Sequence, residues 1–168
     1  MSTVSGVAPT PATHKENRMH IRLTQHSKPL DSDLETPVGL FIRLVGEHQG
    51  ILFESTETDG RWGRYSIIAT DFLLTASCRE GLLDLRAADE TFAPLKVHNG
   101  KPFIDGLRAV MGELELVRDS RLPQPPITRA LYGYFGYGVA GLFEPKLAAA
   151  LPPQAAQASL ALPGTLII

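Results

Sequence analysis

Polar side chains at the ends of two predicted strands are the candidates for ligand binding in this sequence. Glu54-Ser55 ends an apolar run, and Arg64-Tyr65-Ser66 opens the next one. A guanidinium group is suited to pairing with a carboxylate, and serine hydroxyls can add hydrogen bonds. Such groups at strand ends can hold a zwitterionic amino acid. On residue types alone, however, strands that simply leave the core and meet water explain the same pattern at least as well.

Chemistry beyond binding has little support in the sequence. No two of the five histidines have metal-ligand spacing such as H-x-x-x-H, and no Ser-His-Asp or Cys-His arrangement is visible. The glycines at 133, 136 and 138 do not form a phosphate-binding loop, and glycines among aromatics more often let backbones approach within a sheet. Cys78 is most simply a small strand residue. We therefore predict no catalytic residues and no metal site in this chain.

Composition narrows the class of protein. The chain has 168 residues, of which 43% are hydrophobic, which is enough to bury one core. Sixteen basic residues nearly balance eighteen acidic ones without a basic stripe, which argues against nucleic-acid binding. No run approaches the roughly 20 apolar residues of a membrane span, and no secretory signal is visible. A single cysteine fits the reducing cytoplasm.

The elements that would position the polar residues can be predicted from capping and periodicity. Thr36 is a candidate N-cap, and Pro37 suits the first helical position, where no amide donor is needed. Apolar residues at helical spacing follow, and Gly46 can end the helix in a left-handed conformation. We predict strands over 50–55 and 65–69, joined by a turn that contains Asp59-Gly60.

The remaining pattern mixes strands and helices without regular alternation. This predicts an α+β fold with mainly antiparallel sheets and a few packed helices. Residues 1–18 are predicted to be a disordered leader, and residues 19–168 a single incomplete domain. The other predicted elements are an edge strand at 20–25, a hairpin of 72–77 and 82–85 around Glu80-Gly81, a helix opened by Pro102 with a buried face of Phe103, Leu107, Val110, Met111 and Leu114, a buried strand at 128–137, a helix starting within 138–146, a loop at 148–163, and an unfinished strand at 164–168.

Several phrases in fixed order resemble the N-terminal domain of the large subunit of anthranilate synthase, a chorismate-utilising enzyme family. They cover most of the chain from residue 19 onward: Thr36-Pro37, Ile51-Leu52-Phe53-Glu54-Ser55, Arg61-Trp62-Gly63-Arg64-Tyr65-Ser66 and Gly133-Tyr134-Phe135-Gly136-Tyr137. The first three together are specific. The glycine-aromatic phrase is shared with aminodeoxychorismate synthase component I, and Tyr137-Gly138 replaces the family's frequent Tyr-Asp.

The resemblance implies a regulatory role. It implies that this domain binds tryptophan as a feedback inhibitor, and that the effector site comprises Pro37, Glu54, Ser55, Arg64, Tyr65 and Ser66. It also implies that the full enzyme converts chorismate and ammonia to anthranilate and pyruvate. A glutamine amidotransferase subunit would supply the ammonia, and Mg²⁺ would bind in a C-terminal domain that nothing in this chain matches.

Two other interpretations stay open at this point. One is the N-terminal part of aminodeoxychorismate synthase component I, a folate-pathway enzyme of the same fold. The other is a structural or partner-binding fragment without a ligand. Because the chain ends in the apolar run 165–168, we also expect that the sequence stops just before the catalytic domain, which would leave it inactive alone.

Overall fold

One sheet organises the part of the chain that the structure describes. The structure is a computed structural model, and it describes residues 2–10, 20–31, 34–55, 65–118 and 125–168. The elements are β1 (Ser2–Thr10), β2 (Ile21–Leu30), α1 (Pro37–Val45), β3 (Gly50–Glu54), β4 (Ser66–Arg79), β5 (Leu82–Ala87), α2 (Phe103–Glu113), β6 (Leu114–Arg118), β7 (Tyr132–Phe135), α3 (Ala140–Phe143) and β8 (Ala158–Ile167).

The strand order is β3-β4-β8-β1-β2-β6, with β5 added to β4 and β7 added to β8. All pairs are antiparallel except β2 with β6, which is parallel. The predicted α+β fold with mainly antiparallel strands is therefore confirmed. The two central strands, β4 and β8, pair along most of their lengths. Strands β3 and β5 pair with β4, and strands β1 and β7 pair with β8.

Strand β4 is longer than the sequence predicts. The predicted strands at 65–69 and 72–77 are one continuous strand of 14 residues. The register with β8 shifts between Phe72 and Leu74, and Asp71 has a left-handed φ of 56°. A bulge of this kind inserts an extra residue and shifts the alternation of side chains. The sequence pattern therefore looks like two strands although the chain continues.

The hairpin between β4 and β5 is confirmed. Glu80 and Gly81 form its two-residue turn, with left-handed φ values of 53° and 79°. Two residues with positive φ match the twist of the strands that they connect. Glycine at position 81 accepts this conformation without strain, whereas the Cβ atom of any other residue there would lie 3.0 Å from Pro153.

Helix α2 covers one region of the sheet and completes the main core. Phe103 and Val110 are buried against strand residues, as predicted, and Leu107 packs at the edge of the same cluster. Met111 is about half exposed, however, and Leu114 belongs to β6, because the helix ends at Glu113. We call the cluster of Phe92, Leu95, His98, Phe103, Val110 and Glu113 the α2 core.

The last third of the chain differs from the prediction. Strand β8 begins at Ala158 and is central to the sheet, whereas we predicted a loop to 163 and a strand only from 164. Pro163 sits where the register with β4 shifts, which lets a proline occupy a central strand. Of the strand predicted at 128–137, only the four residues of β7 are extended in the sheet. Of the helix predicted within 138–146, only the four residues of α3 are α-helical.

The N-terminal region also differs from the sequence pattern. The predicted edge strand at 20–25 is β2, but it extends to Leu30 and has neighbours on both sides. The structure places Ser2–Thr10 in β1, between β2 and β8, whereas composition predicts disorder for residues 1–18. Main-chain pairing with the next strand, β2, and with the distant strand β8 is invisible to composition. Residues 11–18 lie outside the described residues.

Candidate functional site

The two polar segments of the sequence, Glu54-Ser55 and Tyr65-Ser66, meet at one end of the β3–β4 hairpin. Glu54 is the direct antiparallel partner of Ser66, one step beyond the pair of Phe53 and Ile67. Ser55 follows Glu54 and is exposed, and Tyr65 precedes Ser66 with 46% of its surface exposed. The structure therefore brings four of the six predicted site residues together. We call Glu54, Ser55, Tyr65 and Ser66 the β3–β4 end.

The fifth residue, Arg64, lies outside the described residues, which resume at Tyr65. The same is true of Arg61, Trp62 and Gly63. The connection between β3 and β4 starts at Ser55 and ends at Tyr65, so Arg64 is joined directly to the β3–β4 end. Its pairing with a ligand carboxylate stays a prediction.

Pro37, the sixth residue, begins α1 as predicted. The Thr36 side chain accepts a hydrogen bond from the amide of Gly39 at 3.1 Å, and Gly46 ends the helix with a left-handed φ of 53°. An ion pair of 2.7 Å between Glu35 and Arg43 spans the helix. These contacts fix both ends of α1 from within its own sequence, as the capping signals predict.

Helix α1 packs against the β3–β4 hairpin. A side chain at Gly50 would approach Val45 to 2.6 Å, so the end of the helix lies tightly against the start of β3. The helix also contacts β4. The approach of Pro37 to the β3–β4 end stays a prediction.

The chemistry of the β3–β4 end suits binding. The exposed Glu54 carboxylate can accept hydrogen bonds from an ammonium group, and two serine hydroxyls can donate or accept. The half-exposed ring of Tyr65 lies at the same end of the hairpin.

Three cavities are lined by other described residues. The largest, about 560 Å³, lies over β3, β4, β7 and β8, and a second of about 400 Å³ continues it toward the β4–β5 turn. A third of about 180 Å³ lies between β2, β6 and β8 and includes Gln25 and Thr128. Phe53 lines the largest cavity, but none of the three is lined by Glu54, Ser55, Tyr65 or Ser66.

A polar triad around the buried His98, formed with Lys101 and Glu113, was not predicted from the sequence. His98 is only 6% exposed, its Nε2 lies 2.9 Å from Glu113 Oε1, and its Nδ1 lies 2.8 Å from Lys101 Nζ. Because an ammonium can only donate, Nδ1 must accept, so Nε2 carries the proton and donates to Glu113. No sequence spacing signals this triad, since folding alone brings Glu113 to His98.

The triad holds a turn that covers the free edge of β5. The amide of Leu83 donates to Lys101 O at 2.9 Å, and the amide of Gly100 donates to Leu83 O at 2.8 Å. The Asn99 side chain accepts from the amide of Leu85 at 2.7 Å. An edge strand is thus paired rather than left open. The triad therefore has a structural role in the region farthest along β4 from the β3–β4 end.

The glycine-aromatic phrase has the structural role that we predicted. A side chain at Gly133 would lie 1.9 Å from Ser159 O, and one at Gly138 would lie 2.0 Å from Ala155 O. Only glycine permits these backbone approaches. Between them, Tyr134 and Phe135 point to opposite sides, since Phe135 packs edge-on against Phe103 while Tyr134 lines the largest cavity.

Two buried titratable groups, one on β4 and one on β7, also serve packing. Cys78 lies in β4, which confirms the prediction that it is a strand residue. Its burial raises the pKa of its thiol. The Tyr132 hydroxyl donates to the carbonyl of Ile127, and burial raises the pKa of Tyr132 to about 12. Neither group is poised to react, because burial favours its neutral form.

The described residues provide neither a cluster of metal ligands nor a membrane-spanning helix. Within the described ranges, no group of three or more His, Cys, Asp or Glu side chains converges in a way that could hold a metal ion. The Mg²⁺ that the resemblance implies for a C-terminal domain of the full enzyme stays a prediction. None of the described helices has the length and apolar character needed to cross a membrane.

Comparison with known proteins gives a consistent set of relatives. The chain is 32% identical to "Anthranilate synthase component 1" of Acinetobacter calcoaceticus over 117 residues, which is 69% of this chain and 23% of the relative. It is 28% identical over 138 residues to the protein of that name from Arthrobacter globiformis (82% and 25%), and 30% identical over 114 residues to that from Aquifex aeolicus (67% and 22%).

The chain thus spans about a quarter of the length of the curated relatives that it matches, at their N-terminal part. No protein-family model matches it. No solved structure is significantly similar to it.

Proposed function

Because this chain belongs to the anthranilate synthase component 1 family and matches its N-terminal part, we propose that it is the tryptophan-sensing part of such an enzyme. The observation that carries the proposal is the pairing of Glu54 with Ser66. This pairing joins the two sequence phrases at one sheet end. The enzyme's chemistry would belong to polypeptide outside the matched quarter.

Each site residue has a role that follows from its chemistry. The Glu54 carboxylate binds the α-ammonium group of tryptophan, and the Ser55 and Ser66 hydroxyls bind the ammonium or carboxylate oxygens. Arg64 pairs with the ligand carboxylate, for which its planar fork is suited. Tyr65 and the start of α1 at Pro37 line the indole ring, with aromatic packing as the main apolar contribution.

The proposed activity of the complete enzyme is the formation of anthranilate and pyruvate from chorismate and ammonia. A glutamine amidotransferase subunit is the proposed source of ammonia. Tryptophan would inhibit by binding more tightly to a less active arrangement of the enzyme than to the active one. All five relatives carry the name anthranilate synthase component 1, which favours this reaction over aminodeoxychorismate synthesis.

Substitutions at the β3–β4 end test the binding site. Calorimetry would compare tryptophan binding to the unchanged chain, Glu54→Gln and Ser55→Ala. Loss of a hydrogen-bonding partner in the complex costs about 1–3 kcal/mol, so we expect roughly 5- to 150-fold weaker binding. Ser77→Ala, a serine of β4 distant from Ser66, is the matched control and should bind as the unchanged chain does.

The same comparison belongs in a chimera, because the chain spans only a quarter of its relatives. In the chimera, residues 1–168 replace the matching N-terminal quarter of the Acinetobacter protein. Because the chemistry in this chimera belongs to the Acinetobacter polypeptide, the readout is inhibition: formation of anthranilate that tryptophan inhibits, and that Ser55→Ala makes less sensitive to tryptophan, supports the proposal. Tryptophan binding that is equal in the Ser55→Ala variant and the unchanged protein would place the effector site elsewhere.

A further inference from the structure

The smallest of the three cavities adjoins the main hydrophobic core, between β2, β6 and β8, and has a volume of about 180 Å³. Met111 of α2 and the segment 128–131 before β7 complete its lining. Among the described residues, it shares no lining residue with the two larger cavities. Its wall is mainly aliphatic and is formed by Leu23, Leu114, Leu116, Leu131, Leu162 and Leu166. We call it the Gln25 cavity.

A buried amide lies in this aliphatic wall. Ile21, Leu23 and Gln25 are alternate residues of β2 and are all buried, so Gln25 occupies a position where the sheet places core residues. A polar side chain at such a position costs free energy unless it is hydrogen-bonded. Gln25 Nε2 lies 3.5 Å from Thr128 O, which is longer than the roughly 2.7–3.2 Å of most N–H···O bonds. A ligand atom in the cavity can therefore offer this amide a shorter hydrogen bond.

A cation lies at the solvent-exposed side of the same cavity. Arg129 is exposed and is the formally charged residue among the described lining residues. No described residue forms an ion pair with it. Glu115 alternates with the lining residues Leu114 and Leu116, so its carboxylate belongs to the other face of β6. The guanidinium of Arg129 is thus available to an anionic group at the cavity mouth.

The volume of the cavity limits the ligand to one ring. An apolar cavity of about 150 Å³ is large enough to bind benzene, so about 180 Å³ accepts a benzene ring with small substituents. Tryptophan, with two fused rings and an amino-acid group, is too large for this space. Met111 is about half exposed beside the cavity, and thioether sulfur makes favourable contacts with aromatic rings.

We propose that the Gln25 cavity binds a single aromatic ring with a carboxylate at one end and a hydrogen-bonding group at the opposite end. The leucines contact the ring, Arg129 pairs with the carboxylate, and the Gln25 amide binds the second polar group. The two polar groups lie at opposite ends of the ring because Arg129 is exposed whereas Gln25 is only 1% exposed. The inference does not depend on tryptophan binding at the β3–β4 end.

Titration of the unchanged chain with para-hydroxybenzoate, followed by ligand-observed NMR, tests the proposal. We expect saturable binding that is several-fold tighter than that of benzoate, which has no group for Gln25. Ortho-hydroxybenzoate should bind no better than benzoate, because its hydroxyl lies beside the carboxylate. Tryptophan should not displace the ligand. Failure of para-hydroxybenzoate to bind a folded chain, or its displacement by tryptophan, would overturn the inference.

Two substitutions assign the two polar contacts. Arg129→Gln removes the charge of an exposed side chain and should weaken binding of all these benzoates by about tenfold. Arg86→Gln, on an exposed residue of β5, is the matched control and should bind as the unchanged chain does. Gln25→Leu should bring para-hydroxybenzoate to the affinity of benzoate, which a purely structural role of Gln25 would not do. Unchanged affinities in both Arg129→Gln and Gln25→Leu would contradict the proposal.

Filling the cavity gives an independent readout. Ala130 lines the cavity, so Ala130→Leu should occupy part of the space and weaken para-hydroxybenzoate binding at least several-fold. Ala148→Leu, at an exposed position outside the cavity, is the control and should leave binding unchanged. Melting curves establish that each variant is folded. If folded Ala130→Leu binds as tightly as the unchanged chain, the ligand lies elsewhere and the inference is wrong.

Discussion

The α2 core packs against one end of the long strand β4 and the β3–β4 end lies at the other, and their polar side chains differ in exposure. In the α2 core, the polar side chain of His98 is buried and has a partner on each ring nitrogen. At the β3–β4 end, Glu54 and Ser55 face solvent beside a half-exposed tyrosine. A buried polar group that already has its hydrogen-bond partners stabilises the fold, whereas a polar group that stays accessible can bind a ligand.

This contrast predicts that stability and ligand binding can be changed separately. Substitutions in the α2 core should unfold the chain with little specific effect on tryptophan. Substitutions at the β3–β4 end should weaken binding with little effect on unfolding. Four changes test where the boundary lies.

Phe103→Ala should have the largest effect. Phe103 is 1% exposed and packs against Phe135 at a ring distance of 6.3 Å, so its truncation removes buried contacts and leaves a cavity. We expect the free energy of unfolding to fall by about 3–5 kcal/mol in urea denaturation. Val97→Ala, on an exposed side chain, should change it by less than about 0.5 kcal/mol. Similar losses for both would mean that α2 does not hold the core.

Glu113→Ala should come next. It removes the acceptor of the His98 Nε2 proton and leaves a buried donor without a partner, which costs about 1–3 kcal/mol of unfolding free energy. Glu113→Gln retains an oxygen acceptor and should lose clearly less. If alanine and glutamine are equivalent in urea denaturation, the triad contributes no hydrogen bond to stability.

Tyr132→Phe should cost about 1 kcal/mol near neutral pH, because the hydroxyl no longer donates to Ile127. The pKa of Tyr132 is about 12 in the folded chain, against about 10 for an ordinary tyrosine. The unfolded chain therefore loses this proton first, and the stabilisation is complete below pH 10 and is lost as the pH rises toward 12. Denaturation at pH 8 and pH 11 should show the difference from Tyr132→Phe shrinking; a constant difference would contradict this.

Thr36→Ala should have the smallest effect on unfolding and the clearest local one. It removes the side-chain acceptor for the amide of Gly39 and should cost about 1 kcal/mol, concentrated in α1. Hydrogen exchange should show faster exchange in the first turn after Pro37 and unchanged exchange in α2. Thr36→Ser retains the cap and is the control. Faster exchange in both helices would mean that the two regions are not separable.

Local chemistry accounts for what the sequence predicted well. Thr36, Pro37 and Gly46 are capping signals that act over a few residues, and Glu80-Gly81 demands a hairpin turn, so these elements are where the pattern places them. The adjacency of Glu54 and Ser66 was also predictable, since two strands joined by one connection pair at their connected ends.

Long-range pairing accounts for what the sequence could not show. Strand β8 is central because β4 pairs with it, and its alanines and Pro163-Gly164 resemble a loop until that partner is present. The bulge in β4 exists only relative to β8. Likewise, His98 gains its role when α2 delivers Glu113, fifteen residues away in sequence, to its ring.

The most direct test of the tryptophan site is fluorine NMR of 5-fluorotryptophan titrated with the unchanged chain and with the chimera. The account predicts saturable broadening or shift of the ligand signal, which unlabelled tryptophan reverses and phenylalanine does not. Ser55→Ala should weaken this effect, and Ser77→Ala should leave it unchanged. A ligand signal that stays unchanged with the chain and with a folded chimera would contradict it.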